Sequence, residues 1–271
     1  MSKQEPIIML TNDDGIASPG IWAAAETLAR LGKVWVVAPR EQSTSSGRSN
    51  PTTSDGIIQE YSHLVQGKEW SGFAVGGSPA QCVIYGILEV LPEKPDLVVS
   101  GINYGANTGV DITRSGTIGA ALEAANFGIP SLAVSLETKM EQTFSYSHEV
   151  DFSTAAYFAQ QFARVLLHAP AMTDVQALKV EVPAEATPKT PWEMTRLAES
   201  SLYLVAPEPR SSWKMKSKLH WNIQKDYSVY SEGSDAYAVL VKKHVAITPL
   251  SMDLTSRVDL SELQQNLEQF L

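Results

Sequence analysis

Short runs that stay apolar over successive positions, each followed by a stretch with helical spacing, constrain this chain more than any other feature. Ile7-Ile8-Met9-Leu10, Val34-Trp35-Val36-Val37, Asp96-Leu97-Val98-Val99-Ser100 and Ser131 to Ser135 read as such strands, and Leu178-Lys179-Val180-Glu181-Val182, alternating apolar and charged, as a further one. Helical patterns lie between them, from Pro19 to Leu31, about Pro79 to Leu91, about Gly116 to Phe127, and from Asp151 to about His168. A strand that is apolar on both faces must be covered on both sides, and alternation with helices supplies that cover in a parallel sheet. The expected fold is α/β, doubly wound and Rossmann-like, with a mostly parallel sheet.

A chain of 271 residues, 44% hydrophobic, can bury such a core as one domain. The core is expected over about residues 1–185, completed by late strands within 236–250 that are read on Val239-Leu240-Val241 and Val245-Ala246-Ile247. Between Arg40 and Gly77 the chain turns to Ser, Thr, Gly and Pro with scattered apolar pairs, which predicts loops and short strands lying over the sheet. Residues from about 187 to 230 are rich in Pro, Ser, Trp and Lys, as suits a protruding hairpin or arm. Within 207–225, Arg210, Lys214, Lys216, Lys218 and Lys225 stand against Glu208 alone, either as a solvated arm or as a surface facing substrate or another subunit. A terminal helix is expected within 258–271.

Charge and composition exclude several classes. A formal charge of -9 opposes coating of nucleic acid or anionic membrane. No apolar run approaches the ~20 residues needed to span a bilayer. The single cysteine, Cys82, permits neither an intrachain disulfide nor a cysteine-based zinc site, and with no leader-like segment the default location is the cytoplasm.

In an open parallel sheet, ligands bind beyond the carboxyl ends of the strands, where strand order reverses. Asn12-Asp13-Asp14-Gly15 follows the first strand, Gln42 to Gly47 follows Val34 to Ala38, and Gly101-Ile102-Asn103 follows Leu97 to Ser100. Each cluster alone has an ordinary reading: a turn or helix cap for Asp13 and Asp14, a loop for Ser43 to Ser46. Together they gather oxygen ligands suited to a hard divalent cation. Asn103 to Thr117 then runs through a Gly-rich stretch into Ser115-Gly116-Thr117 at a helix start, where unpaired N–H groups and the helix dipole favour an anion. A cation site beside an anion cradle implies phosphoryl chemistry.

These segments together resemble the SurE family, the stationary-phase survival proteins that act as nucleoside monophosphate phosphatases. The resemblance rests on Thr11-Asn12-Asp13-Asp14-Gly15-Ile16 with Pro19-Gly20-Ile21, Val36 to Ser43, Gly77 to Val83, Pro95 to Ser135, Glu232 to Val239 and Ile247 to Leu250, in order along nearly the whole chain. It implies one divalent metal ion per subunit, Mg²⁺ or Mn²⁺, held by Asp13, Asp14, Ser43 and Asn103, with Asp13 and Asp14 at the catalytic centre. It places phosphate contacts at Asn107, Ser115, Gly116 and Thr117. The loop before the third ligand is one residue shorter than the family's, so Ser43 matches by motif and Thr44 by counting. Arg114 stands where the family carries Tyr, either adding a donor to the anion site or facing solvent.

The implied activity is hydrolysis of nucleoside 5′- and 3′-monophosphates by a metal-activated water, with short-chain polyphosphate as a further substrate. Asp14 or Asp13 would accept the proton. A covalent aspartyl-phosphate phosphatase would need Asp-x-Asp, and two positions beyond Asp13 stands Gly15. The competing reading from another class is a non-catalytic nucleotide-binding or scaffold protein that keeps the fold. The resemblance also implies a homodimer or homotetramer assembled through the C-terminal arm.

Overall fold

In a computed structural model of the chain, which describes residues 5–65, 67–143, 147, 149–169 and 172–271, the apolar runs form the middle of a nine-stranded sheet. The elements in chain order are β1 (Ile7–Thr11), α1 (Pro19–Leu28), β2 (Lys33–Pro39), β3 (Ile58–Val65), β4 (Lys68–Val75), α2 (Pro79–Tyr85), β5 (Leu97–Tyr104), α3 (Gly116–Asn126), β6 (Ser131–Leu136) and α4 (Met140–Thr143). They continue with α5 (Ser153–His168), β7 (Ala177–Val182), β8 (Trp192–Met194), β9 (Tyr203–Pro207), β10 (Leu219–Ile223), β11 (Val245–Leu250) and α6 (Leu260–Glu268). The sheet order is β3-β4-β2-β1-β5-β6-β7-β11-β8, and β4 through β7 run parallel.

Covering on both faces is visible along β1 itself. Ile8 and Leu10 pack with Ile21, Trp22, Leu28, Phe158 and Phe162 under α1 and α5, whereas Ile7 and Met9 pack with Val37, Val83, Val98, Ala120 and Ala124 under α2 and α3. Alternate residues of one strand thus belong to two separate cores, as the two-residue period of a strand requires. The chain leaves β1 towards β2 on one side and reaches β5 on the other, so the reversal of strand order falls between β1 and β5.

Three expectations are corrected. Residues 58–75 do not lie over the sheet: β3 and β4 form an antiparallel hairpin that extends its edge, with β4 parallel to β2. The outer strand alternates exposed and half-buried residues, so it lacks the continuous apolar signal of the interior strands. Val239-Leu240-Val241 is not a strand but part of a π-type turn over Tyr237–Lys242. Asp235 Oδ1 accepts the Ala236 N–H and Ser234 Oγ accepts the Tyr237 N–H, so side chains just upstream cap a helical start that the β-branched residues then follow. Finally, the arm is anchored further in than the sequence indicated. β8 joins the main sheet parallel to β11, and only β9 and β10 form the separate hairpin. The Pro79 helix runs close to its expected end, as α to Tyr85 and then as a π-type turn over Gly86–Val90.

The close fit beneath the crevice gives a direct test. A Cβ on Gly20, in the first turn of α1, would lie 2.3 Å from the Ile102 carbonyl oxygen and 3.1 Å from the Phe152 ring. Gly20→Ala is expected to destabilise the protein by about 1–3 kcal/mol, as overpacking in a dense interior does, read as a lower denaturant midpoint at unchanged m-value.

Candidate functional site

At the β1/β5 crevice the sequence-predicted residues meet. Asn12 closes the turn after β1, its Oδ1 accepting the Gly15 N–H at 3.1 Å and its Nδ2 donating to the Gly15 carbonyl at 3.0 Å. Asp13 and Asp14, only 4% and 1% exposed, are thereby fixed at the strand end. Asp14 accepts the Tyr104 N–H at 3.1 Å and the Gln42 amide at 3.2 Å. Asp13 accepts the Thr117 hydroxyl at 2.6 Å.

Asn103 arrives from the opposite wall. A register shift between Ser100 and Asn103 interrupts the β5/β6 pairing, and such bulges re-aim side chains. Gly101 allows it: its φ is +135°, and a Cβ there would lie 2.3 Å from the Val134 carbonyl oxygen. The Asn103 Nδ2 donates to the carbonyls of Tyr104 and Gly105 at 3.1 and 2.7 Å. Its Oδ1 is therefore the atom turned to the crevice, the correct one for a cation.

The Ser-rich loop crosses the front. The Ser43 N–H donates to the Asp13 carbonyl at 2.7 Å, and the Gly47 N–H to that of Arg114 at 2.9 Å. Thr44 and Ser45 line the same cleft as Asp13, Asn103, Asn107 and Ser115, while the Ser43 side chain lines an adjoining hydroxyl-rich depression with Thr44. Ser46 Oγ is buried without a hydrogen-bond partner beside Gly116, where any Cβ would stand 2.6 Å from it and 2.7 Å from Asp13 Cβ.

Ser115 caps α3, its Oγ accepting the Ile118 N–H at 3.2 Å. The N–H groups of Gly116 and Thr117, assigned to phosphate in the sequence, act on the Asp13 carboxyl in the structure, as does the Thr117 hydroxyl. The dipole of α3 is thus directed at a carboxylate that already occupies its N-terminus. Asn107 lines the cleft wall, donating its N–H to Glu181 at 2.8 Å and its Nδ2 to Ser135 Oγ at 3.0 Å.

Several lining residues carried no sequence signal. Arg114 is neither free nor simply solvent-facing. It pairs with Asp111 and stacks its guanidinium 4.7 Å from the centre of the Trp221 ring on β10. Asp111 Oδ2 also accepts the N–H groups of Leu202 and Tyr203 at 2.8 and 3.0 Å, so one buried carboxylate docks the hairpin against the turn before α3. Tyr203, Trp221 and Met140 complete the cleft. Tyr203 and Trp221 could not be placed there from spacing, because the hairpin meets the Asp111 loop 91 residues further along the chain.

Electrostatics sets the chemistry available. Burial pushes the Asp13 carboxyl above its ordinary value against the Thr117 hydroxyl and nearby N–H groups. Asp14 is driven much further, first by burial and then by the charge of Asp13, against the bonds from Tyr104 and Gln42. Two adjacent buried carboxylates with an amide oxygen opposite and hydroxyls alongside fit a divalent cation, which would neutralise both. Among the described residues no three His, Cys, Asp or Glu side chains gather as a metal cluster, so a cation here takes neutral oxygens as well.

The sign of the pH effect follows. Unfolded, Asp14 loses its proton near 3.8, and the folded chain keeps it to higher pH, so without cation stability falls as pH rises above about 4. Asp14→Asn in chelator is therefore expected to melt higher than the parent at pH 8, with the difference shrinking towards pH 4, as followed by thermal unfolding.

The family described as "Survival protein SurE" matches residues 8–203. Over 257 residues the chain is 40% identical to the 5′-nucleotidase SurE of Thermococcus gammatolerans, covering 95% of this chain and 94% of that one. It is 37% identical to the protein of the same description from Thermococcus kodakarensis, over 95% and 97% of the two chains. The crystal structure of the SurE protein from Aquifex aeolicus superposes with a TM-score of 0.75 at 30% identity, covering 98% of this chain and 99% of that one. The chain belongs to the SurE family.

Proposed function

We propose that this protein is a divalent-metal-dependent phosphomonoesterase that hydrolyses nucleoside 5′- and 3′-monophosphates to nucleoside and phosphate. The observation that carries the reading is the buried Asp13–Asp14 pair with the Asn103 amide oxygen at the sheet's crossover, and the Thermococcus relatives are described as 5′-nucleotidases. Asp13, Asp14, Asn103 and Ser43 would hold one Mg²⁺ or Mn²⁺. Such an ion supplies charge neutralisation at the phosphoryl group and a lowered pKa for the attacking water.

The chain's own groups do the rest. Asp13, held by Thr117 and the start of α3, keeps a fixed orientation, so little reorganisation is needed when charge develops. Asn107 and Ser115 bind the phosphoryl oxygens, while the N–H groups of Gly116 and Thr117 stay on the Asp13 carboxyl. Arg114, aligned by Asp111 and Trp221, adds a fixed guanidinium at the rim. Tyr203 and Trp221 offer ring faces to a nucleobase.

We extend the reading to short-chain polyphosphate as a lesser substrate, and to a homodimer or homotetramer joined through the hairpin arm, whose Trp213 is 91% exposed. No described helix is long and apolar enough to cross a membrane.

Three outcomes are expected. Asp13→Asn with metal supplied should lower phosphate release by at least ~100-fold, the scale of removing a transition-state charge contact; activity near the parent's would refute the assignment, and a parent that binds nucleotide without turnover would favour the scaffold reading. Trp221→Ala should raise KM for nucleotides about 10-fold more than for a base-free phosphomonoester, which loses only the alignment of Arg114 and not the base-stacking contact of ~1–1.5 kcal/mol. A variant lacking residues 207–225 should show a lower oligomeric mass by light scattering; an unchanged mass would end the arm's assembly role.

A further inference from the structure

Behind the wall of the cleft lie three charged side chains to which the phosphatase reading gives no task. Lys179 and Glu181 stand two residues apart on β7, and Asp235 enters from the segment before the π-type turn; all three are 0% exposed. Lys179 Nζ is 2.9 Å from Asp235 Oδ2 and 3.6 Å from Glu181 Oε1. Such a cluster is weak evidence for stability, since apolar residues of similar volume serve a sheet interior equally well.

What distinguishes it is where the carboxylates turn. Glu181 Oε2 accepts the Asn107 N–H at 2.8 Å, and Asp235 Oδ2 accepts the Gly109 N–H at 2.9 Å. Asp235 Oδ1 accepts the Ala198 N–H at 2.9 Å and the Ala236 N–H at 2.8 Å, fastening the second carboxylate to the chain on either side of the hairpin. The two carboxylates thus grip the loop at Asn107 and Gly109 and share one ammonium. Asn107 Nδ2 bonds Ser135 Oγ, and Ser135 is the register partner of Glu181 across β6 and β7. Both the backbone and the side chain of Asn107 are therefore referenced to one position of the sheet. Gly109, at φ +57° and with a would-be Cβ 2.6 Å from the Ser200 carbonyl oxygen, accommodates the sharp turn that brings the loop back.

We propose that Glu181, set in place by Lys179 and shared with Asp235, is a positioning residue of the anion site, holding Asn107 at the cleft wall so that its amide meets a phosphoryl oxygen. The inference rests on the phosphomonoesterase reading above and assigns Glu181 no contact with substrate. Burial pushes the Glu181 carboxyl up to about 7, opposed by Lys179, which accords with two carboxylates and one ammonium sharing an enclosed space.

The test uses the full chain with its metal and reads kcat and KM for a nucleoside monophosphate, the inhibition constant of inorganic phosphate, and the melting temperature. Glu181→Asp keeps the charge beside Lys179 but withdraws the acceptor from Asn107. It is expected to raise KM and the phosphate inhibition constant about 10-fold with kcat within ~3-fold, the scale of one lost hydrogen bond. Glu181→Gln keeps an acceptor and should stay within ~3-fold of the parent. Asn107→Ala should weaken phosphate by a similar factor, and Asn107→Ala with Glu181→Asp should be no weaker than Asn107→Ala alone. If Glu181→Asp does not fold, Glu181→Met, close in volume and without an acceptor, replaces it with the same expectations. Unchanged phosphate inhibition in a folded Asp or Met variant, or additive losses in the double variant, would overturn the proposal while leaving the phosphatase reading intact. A parent that releases no phosphate removes that reading and this inference with it.

Discussion

The structure is organised around a burial that is unfavourable in itself: two adjacent carboxylates, Asp13 and Asp14, enclosed at the end of a central strand. Their hydrogen-bond partners include a hydroxyl, an amide and N–H groups. Neutral donors compensate a buried charge only in part, and the upward drift of both groups is the measure of what is left over. The Asn12 turn, the register shift in β5, the Ser-rich loop and the start of α3 all converge on that residual field. Closeness of approach depends on small residues where α3 and α1 meet their neighbours, Gly116 against Asp13 and Gly20 against Ile102.

A second tier of buried charge holds the periphery of the site to its centre. Asp111 ties the hairpin to the turn before α3 through two backbone bonds and orients Arg114. Lys179, Glu181 and Asp235 tie the Asn107 loop to β7 and to the segment before the π-type turn. In both cases a carboxylate bonds backbone N–H groups of a segment distant in sequence. Loops that line a cleft have few apolar contacts to fix them, and buried polar anchors give them one geometry instead of several.

How much of this was legible differs residue by residue. Asp13, Asp14, Asn103 and Ser115 were found because each sits at the end of a strand or the start of a helix, and those ends follow from local apolar patterning. Arg114 was seen but its direction was not, since its partner Trp221 lies on another element. Ser43 and Thr44 could not be separated, because a loop's path depends on what it crosses; the structure sets the Ser43 N–H on Asp13 while Thr44 faces the cleft. Lys179 and Glu181 were hidden in plain view. Their alternation with Leu178, Val180 and Val182 reads as the ordinary solvent face of a strand, whereas both faces of β7 are in fact buried. The edge hairpin β3–β4 and the turn at Tyr237 were misjudged for the same reason: weak local propensities yield to pairing and capping partners.

By itself, the sequence determined the repeating strand–helix units, the parallel sheet they must build and therefore the carboxyl-end crevice in which oxygen ligands gather. These follow from periodicity and burial, which are local properties of the chain. Only the tertiary structure decided which atoms face the crevice: the Asn103 oxygen instead of its nitrogen, the N–H groups of Gly116 and Thr117 turned on Asp13, the Trp221 ring over Arg114, and Glu181 behind Asn107. Those outcomes depend on hydrogen bonds and ring contacts between segments far apart along the chain. Their directions are fixed only when every neighbouring donor, acceptor and face is in place.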